Sequence, residues 1–212
     1  MDLKTRQDLE RIIELFGQHE LKGLQPKLGD AYWVPTPPEV LLAEMITLDL
    51  WTAIEGKRHE GKALVAGAGD SRKVAPLARL GYDVTAVELN PRLVQHGNYM
   101  TDLLVQNGLV DRTKVTIIEG NFLEDNTYIS RDIAFSDFNK IFAYLKLENL
   151  AKLADKIGQQ SYEGTELFIL RFMEWGLPDM PLRFRIRRKI EWGPNEETKF
   201  PAHYDVLKYA KY

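Results

Sequence analysis

The stretch Ala63-Leu64-Val65-Ala66-Gly67-Ala68-Gly69-Asp70-Ser71 decides the fold. Four apolar residues in a row suit a strand buried on both faces. The two glycines that follow let the backbone turn sharply and let a ligand approach the peptide plane. Arg72 to Leu80 then reads as a helix. Working outward, Val84-Thr85-Ala86-Val87, Val115-Thr116-Ile117-Ile118, Lys140-Ile141-Phe142-Ala143 and Leu167-Phe168-Ile169-Leu170 repeat the strand signal. Helical stretches lie between them, one from Pro91 to about Gln106. In the tail, Arg183-Phe184-Arg185-Ile186-Arg187 alternates, and Tyr204-Asp205-Val206-Leu207-Lys208-Tyr209 is strand-like. This order predicts an α/β fold with a doubly wound, mostly parallel sheet and an antiparallel strand near one edge. Ligands of such sheets bind beyond the carboxyl ends of the strands, where the winding reverses.

Upstream, Leu3, Leu9, Ile12, Ile13, Leu15 and Phe16 recur at helical spacing among charges, predicting a helix over 3–16. Gly17 and Gly23 loosen the chain, and Pro35, Pro37 and Pro38 break it. Pro38-Glu39 opens a second helix through Leu41, Leu42, Met45, Ile46, Leu48 and Trp51, with Thr36 as its expected N-cap. The polar run Glu55 to Lys62 is read as a loop. The expected division is a helical cap over 1–55 and a main domain over 56–212.

The whole chain has 212 residues, 44% hydrophobic and 28% charged, as expected of one ordinary soluble domain. A chain of this size buries roughly 70% of the surface its unfolded form exposes and needs no staples. It has no cysteine, which excludes a disulfide framework, a thiolate metal site and a cysteine nucleophile, and suits a cytoplasmic setting. With a formal net charge of −3 it has no global basic field to draw it to nucleic acid or membrane. The first residues lack the apolar core of a signal peptide, and no stretch approaches the roughly 20 apolar residues that span a bilayer. His19, His59, His96 and His203 show no ligand-like spacing, so no metal is expected.

Glu88 ends the second strand, 21 residues beyond Gly67 (88 against 67). A carboxylate there can accept both hydroxyls of a ribose. A solvated strand end would explain Glu88 alone; paired with the glycine turn, it points to nucleoside binding. A dinucleotide fingerprint requires a third glycine three residues after the second. That position is Arg72, which disfavours NAD or FAD and leaves an adenosine ligand without a pyrophosphate.

Over about residues 62–171 the chain resembles the seven-stranded, Rossmann-like S-adenosylmethionine-dependent methyltransferases. Ala63 to Ser71 looks like their first motif, and Val84 to Pro91 like their ribose-binding strand. Glu119-Gly120-Asn121-Phe122 is similar to the segment lining the adenine, and Phe138 to Leu145 to the fourth strand with its active-site end. Tyr32-Trp33-Val34-Pro35-Thr36-Pro37-Pro38 is similar to a segment of archaeal-type protein lysine methyltransferases, where it closes over the methionine end of the cofactor. The resemblance implies S-adenosyl-L-methionine as cofactor, held by Thr36, Gly67, Gly69, Asp70, Ser71, Glu88, Leu89, Asn121, Phe122 and Tyr144. The chain departs from the family pattern twice. Val65 stands where an acid usually orients the methionine ammonium, and Asn121 where an aspartate usually accepts the adenine amino proton. Asp70 can supply the first charge from the loop, and the Asn121 amide oxygen can still accept the second bond.

The expected reaction is in-line displacement on a sulfonium, in which the protein aligns the acceptor and keeps water out. No residue is identified as a catalytic base. The favoured acceptor, a protein lysine, rests on the resemblance. At a reference pKa of about 10.4 such an amine must first lose a proton, which an apolar aromatic channel assists. Tyr32, Trp33 and Tyr144 are the candidate walls of that channel, with core or surface aromatic packing as the other account; the strand-end position of Tyr144 favours the channel there. The run Arg183, Arg185, Arg187, Arg188 and Lys189 reads as a solvated strand face, or as a site for RNA phosphates or an acidic protein surface. Small-molecule or RNA methylation, and a non-catalytic module of the same fold, are the alternatives.

Overall fold

A computed structural model describes residues 1–19, 21, 27–28, 31–32, 36, 38–171, 182–192 and 200–210. The elements, in chain order, are α1 (Leu3–Gln18), β1 (Lys27–Leu28), β2 (Ala31–Tyr32), α2 (Pro38–Ile54), β3 (Lys62–Ala66), α3 (Val74–Leu80) and β4 (Asp83–Glu88). They continue with α4 (Pro91–Gln106), β5 (Val115–Glu119), α5 (Asp125–Ile129), β6 (Lys140–Ala143), α6 (Leu147–Gln160), β7 (Glu166–Arg171), β8 (Leu182–Trp192) and β9 (Phe200–Ala210).

Local chemistry sets the helix starts. Asp2 caps α1 by accepting the Thr5 backbone N–H at 2.7 Å, and the helix runs past Gly17 to Gln18. Asn90 caps α4 in the same way through Arg92 N–H at 3.0 Å, with Pro91 at the first helical position. The expectation for α2 needs correction. The helix starts at Pro38, so Thr36 lies one residue ahead of the cap position. The Thr36 carbonyl instead accepts a hydrogen bond from Arg72 Nη1 at 2.8 Å.

The strands form one sheet in the order β5-β4-β3-β6-β7-β9-β8. Its parallel part comprises five strands, β5 to β7, and β9 and β8 extend it antiparallel. β3 pairs with β4 on one side and β6 on the other. The chain therefore winds outward from β3 to β5, then crosses back to start again at β6. This reversal opens a crevice beyond Ala66 and Ala143, which sit opposite each other at the carboxyl ends of β3 and β6.

Side-chain alternation explains why these strands are apolar throughout. Ala63 and Val65 of β3, Phe142 of β6 and Phe168 of β7 join one core with Leu9, Ile12 and Phe16 of α1, and Leu41 and Met45 of α2. Leu64 and Ala66, Ile141 and Ala143, and Leu167 and Ile169 join a second core on the opposite face, with Tyr128, Leu150, Leu153 and Ile157. The N-terminal helices thus share the sheet's core. Arg79 of α3 also reaches Asp8 of α1 at 2.6 Å. Among the described residues, no helix is long and apolar enough to cross a membrane.

Candidate functional site

The turn after β3 is built around two glycines with left-handed backbone, Gly67 (φ 65°) and Gly69 (φ 59°). A Cβ at Gly67 would strain this left-handed backbone and, 2.6 Å from Leu145 Cδ2, would push that side chain aside. The Ala68 N–H bonds the carbonyl of Val87, tying the turn to the end of β4. Glu88, the last residue of β4, completes the junction. One carboxylate oxygen accepts the Gly69 N–H at 2.8 Å and the other the Asn90 N–H at 3.0 Å. The glycine turn and the strand-end acid predicted from sequence therefore form one hydrogen-bonded unit.

Beside this unit lies a cavity of about 250 Å³ over the carboxyl ends of β3 and β6. Of the predicted residues, Thr36, Gly67, Gly69, Asp70 and Tyr144 line it. Burial pushes the Tyr144 hydroxyl up to about 12; Lys146 lines the cavity beside it. Glu88 lies behind the turn. Leu89 is 61% exposed beside it.

Asn121 is engaged locally. Its amide oxygen accepts the Leu123 N–H at 3.1 Å and its amide nitrogen donates to Glu124 at 3.0 Å, which leaves one lone pair of the oxygen for a ligand. Phe122 is partly buried, and its ring comes within 3.9 Å of a Cβ built at Gly67. Trp33 lies outside the described residues, and so does the Tyr32 side chain.

Ser71 turns away from the cavity. Its backbone is left-handed (φ 65°), and its hydroxyl is buried against Gly97 of α4. A Cβ at Gly97 would sit 2.4 Å from Ser71 Oγ, 2.9 Å from Ser71 Cβ and 3.1 Å from Ile117 Cδ1. Overpacking of this kind costs about 1–3 kcal/mol, against a gain of at most about 1 kcal/mol for alanine over glycine in a helix. Gly97→Ala is therefore expected to lower the midpoint of thermal unfolding; a rise would show that the turn yields freely.

The sequence reading named Asp70 but missed the cations on the cavity wall. Arg72, taken there only as a bulky residue in place of glycine, directs Nε (2.8 Å) and Nη2 (2.5 Å) to Asp70 Oδ2. Lys73 also lines the cavity and lies 2.9 Å from Glu44 of α2. The alternation of charge across Asp70, Arg72 and Lys73 was the available signal; nothing local marked Glu44.

His96 of α4 is buried close by, and burial holds its imidazole below the usual value, with Arg72 and His19 acting in the same direction and Asp70 opposing them. The folded protein thus keeps His96 neutral where the unfolded chain, at about 6.5, takes up a proton. Stability is present above that pH and falls as the pH drops through it. Thermal unfolding is expected to show such a decline between about pH 6.5 and pH 5, above the range where the lowered carboxyls of Asp8 and Asp49 titrate. His96→Gln is expected to flatten that limb; an unchanged slope would place the proton elsewhere.

No protein-family model matches the chain, and no curated protein matches it in sequence. Solved structures match in fold. A candidate RNA methyltransferase from Pyrococcus horikoshii superposes with a TM-score of 0.65 at 14% identity, covering 99% of each chain. An RNA methyltransferase from Salinibacter ruber, crystallised with S-adenosyl-L-homocysteine, gives 0.55 at 20% identity, over 84% of this chain and 93% of that one. The magnesium protoporphyrin IX methyltransferase of Synechocystis PCC 6803, with bound S-adenosylmethionine, gives 0.56 at 10% identity, over 97% of each. At these identities the likeness establishes the fold: an α/β architecture shared with class I methyltransferases.

Proposed function

We propose that this chain is an S-adenosylmethionine-dependent methyltransferase. The observation that carries the reading is the junction at Glu88. A strand-end carboxylate is bonded to the N–H of a glycine turn, beside a cavity at the winding reversal. Each carboxylate oxygen keeps a second lone pair, enough to accept a ribose hydroxyl. The cofactor and ligand neighbours of the shared fold support the same reading.

The residues present fit an adenosine ligand. Small-molecule sites commonly enclose about 300–1,000 Å³, so the 250 Å³ chamber suits one end of such a ligand, with the base alongside Leu89 and Phe122. Thr36, Gly67, Gly69, Asp70 and Tyr144 would hold the enclosed end; Ser71 contributes by shaping the turn, and Asn121 by its remaining lone pair. S-adenosylmethionine supplies an activated methyl group. The chain's part is to fix the acceptor in line and exclude water, which Phe142, Tyr144 and Leu145 do on the β6 side of the cavity.

For the acceptor we favour an amine, in first place a protein lysine. The low-polarity surroundings that raise Tyr144 also favour an uncharged amine, the reactive form. Tyr32 and Trp33, on the segment preceding α2, are proposed as further walls of the acceptor channel. A second reading, transfer to RNA, is supported by the two RNA methyltransferase neighbours and by the five basic residues of β8. Labelled methyl transfer onto a cell extract split into protein, RNA and small molecules separates the two. Label in protein supports the lysine reading, and label in RNA supports the second. Ligand binding with no transfer to any fraction favours a non-catalytic module.

A further inference from the structure

A helix on a protein surface ordinarily turns charged or polar residues to water. α1 and α6 do so, with the exposed ion pairs Arg6–Glu10 and Lys152–Glu148. α2 does not. Its inner face buries Val40, Leu41, Met45, Leu48 and Thr52. On the opposite side Leu42, Ile46, Leu50 and Ile54 recur every four residues and form one ridge along the helix. Leu42 and Ile46 are partly exposed, and Leu50 and Ile54 are 56% and 66% exposed. Asp49, beside the ridge, is engaged by His59 at 2.9 Å.

The two ends of the ridge carry opposite charge. Glu39, ahead of Leu42, is exposed and has no ion-pair partner among the described residues. At the far end Gly56 turns the chain. Its N–H bonds the Ala53 carbonyl at 3.0 Å, and the Lys57 N–H bonds the Thr52 carbonyl at 2.9 Å, which keeps Arg58 at the helix end. Arg58 is exposed and likewise unpaired among the described residues, whereas Lys57 is engaged by Glu55 and Glu166. Glu39 and Arg58 cannot meet within one chain, because the 17 residues of α2 span roughly 25 Å. They meet when a second α2 lies antiparallel on the first. About the midpoint of the ridge, Leu42 then faces the partner's Ile54, Ile46 faces the partner's Leu50, and Glu39 comes level with the partner's Arg58. α2 contains no lysine or arginine, unlike helices that lie on lipid surfaces.

We propose that the outer face of α2 is the contact between two copies of this chain, packed antiparallel about a two-fold axis. Such a contact needs a surface that complements itself, and an apolar ridge with opposite charges at its two ends does. Glu44 of the same helix pairs with Lys73 on the cavity wall, so the contact stands one helix away from the candidate site.

Sedimentation velocity of the full chain from about 1 to about 100 μM reads the association. One helix face is a small interface, below the roughly 1,200 Å² of the standard class, so a Kd of about 10 μM is expected. Leu50→Glu changes an exposed position, where substitution costs the monomer little. It is expected to remain monomeric at about 100 μM and to keep its midpoint of thermal unfolding at about 1 μM. Glu39→Arg and Arg58→Glu are each expected to weaken the dimer by about 10-fold, because each turns two attractions into two repulsions. Glu39→Arg/Arg58→Glu restores the complement, and its affinity is expected to return to within about threefold. A monomer throughout the range overturns the proposal, including the case in which the chain binds phosphatidylcholine vesicles and Leu50→Glu does not. A dimer that survives Leu50→Glu uses another face and overturns it too. Failure of the double reversal to restore association overturns the antiparallel arrangement.

Discussion

Glu88→Ala is expected to abolish binding of S-adenosylhomocysteine in a calorimetric titration. On the proposed reading the carboxylate accepts two ribose hydroxyls while it holds the Gly69 and Asn90 N–H groups. A hydrogen bond to a charged group is worth about 1.5–3 kcal/mol. Losing two of them weakens binding by about 10²–10⁴-fold. Glu88→Gln separates the contributions. It retains the shape and one acceptor oxygen, but its amide nitrogen would face a backbone N–H, so an intermediate loss is expected. Circular dichroism of both variants checks that the sheet survives. Unchanged affinity in Glu88→Ala would remove the basis of the proposed function.

The second large effect is on stability. Phe142 of β6 is 1% exposed, and its ring stacks on Phe168 of β7 with centroids 4.9 Å apart and planes 11° from parallel. Phe142→Ala opens a hole between the sheet and the α1–α2 layer, at a cost of about 3–5 kcal/mol. Native proteins hold only about 5–15 kcal/mol in total. For a chain of this length the midpoint of thermal unfolding should fall by about 6–20 °C. Because Phe142 also lines the cavity, stabilisation by added S-adenosylhomocysteine should shrink with it. Phe142→Leu refills most of the volume and should lose far less. A fall below about 3 °C in Phe142→Ala would correspond to roughly 1 kcal/mol and would show that the two layers close up independently of this ring.

The parts of the fold legible in the sequence were those set by short-range pattern. Apolar runs such as Ala63 to Ala66 mark strands covered on both faces, and Pro38 and Pro91 mark helix starts within a residue of where they fall. Glycines followed by a distant acid located the turn and Glu88. Of the charges gathered at the cavity only Asp70 was legible, and the others were not for a physical reason. Arg72 draws its meaning from Asp70 two residues before it and from the Thr36 carbonyl 36 residues before it. Glu44 sits in an apolar helix and pairs with Lys73 only after α2 packs on α3. Thr36 was misplaced as a cap because proline 38 begins the helix one step later than the threonine requires. The acceptor rests on resemblance alone at the sequence level, since no local pattern encodes a substrate that meets the chain only at its surface.

The order of the strands has one more consequence. Among the described residues nothing pairs with the outer side of β8, which leaves up to 11 residues of backbone able to accept another strand. An open border of this length invites fibrous stacking of copies. Arg183, Arg185, Arg187, Arg188 and Lys189 all belong to this strand. A second copy pairing its own β8 there would bring two such basic strands side by side, and like charges on neighbouring strands disfavour that pairing.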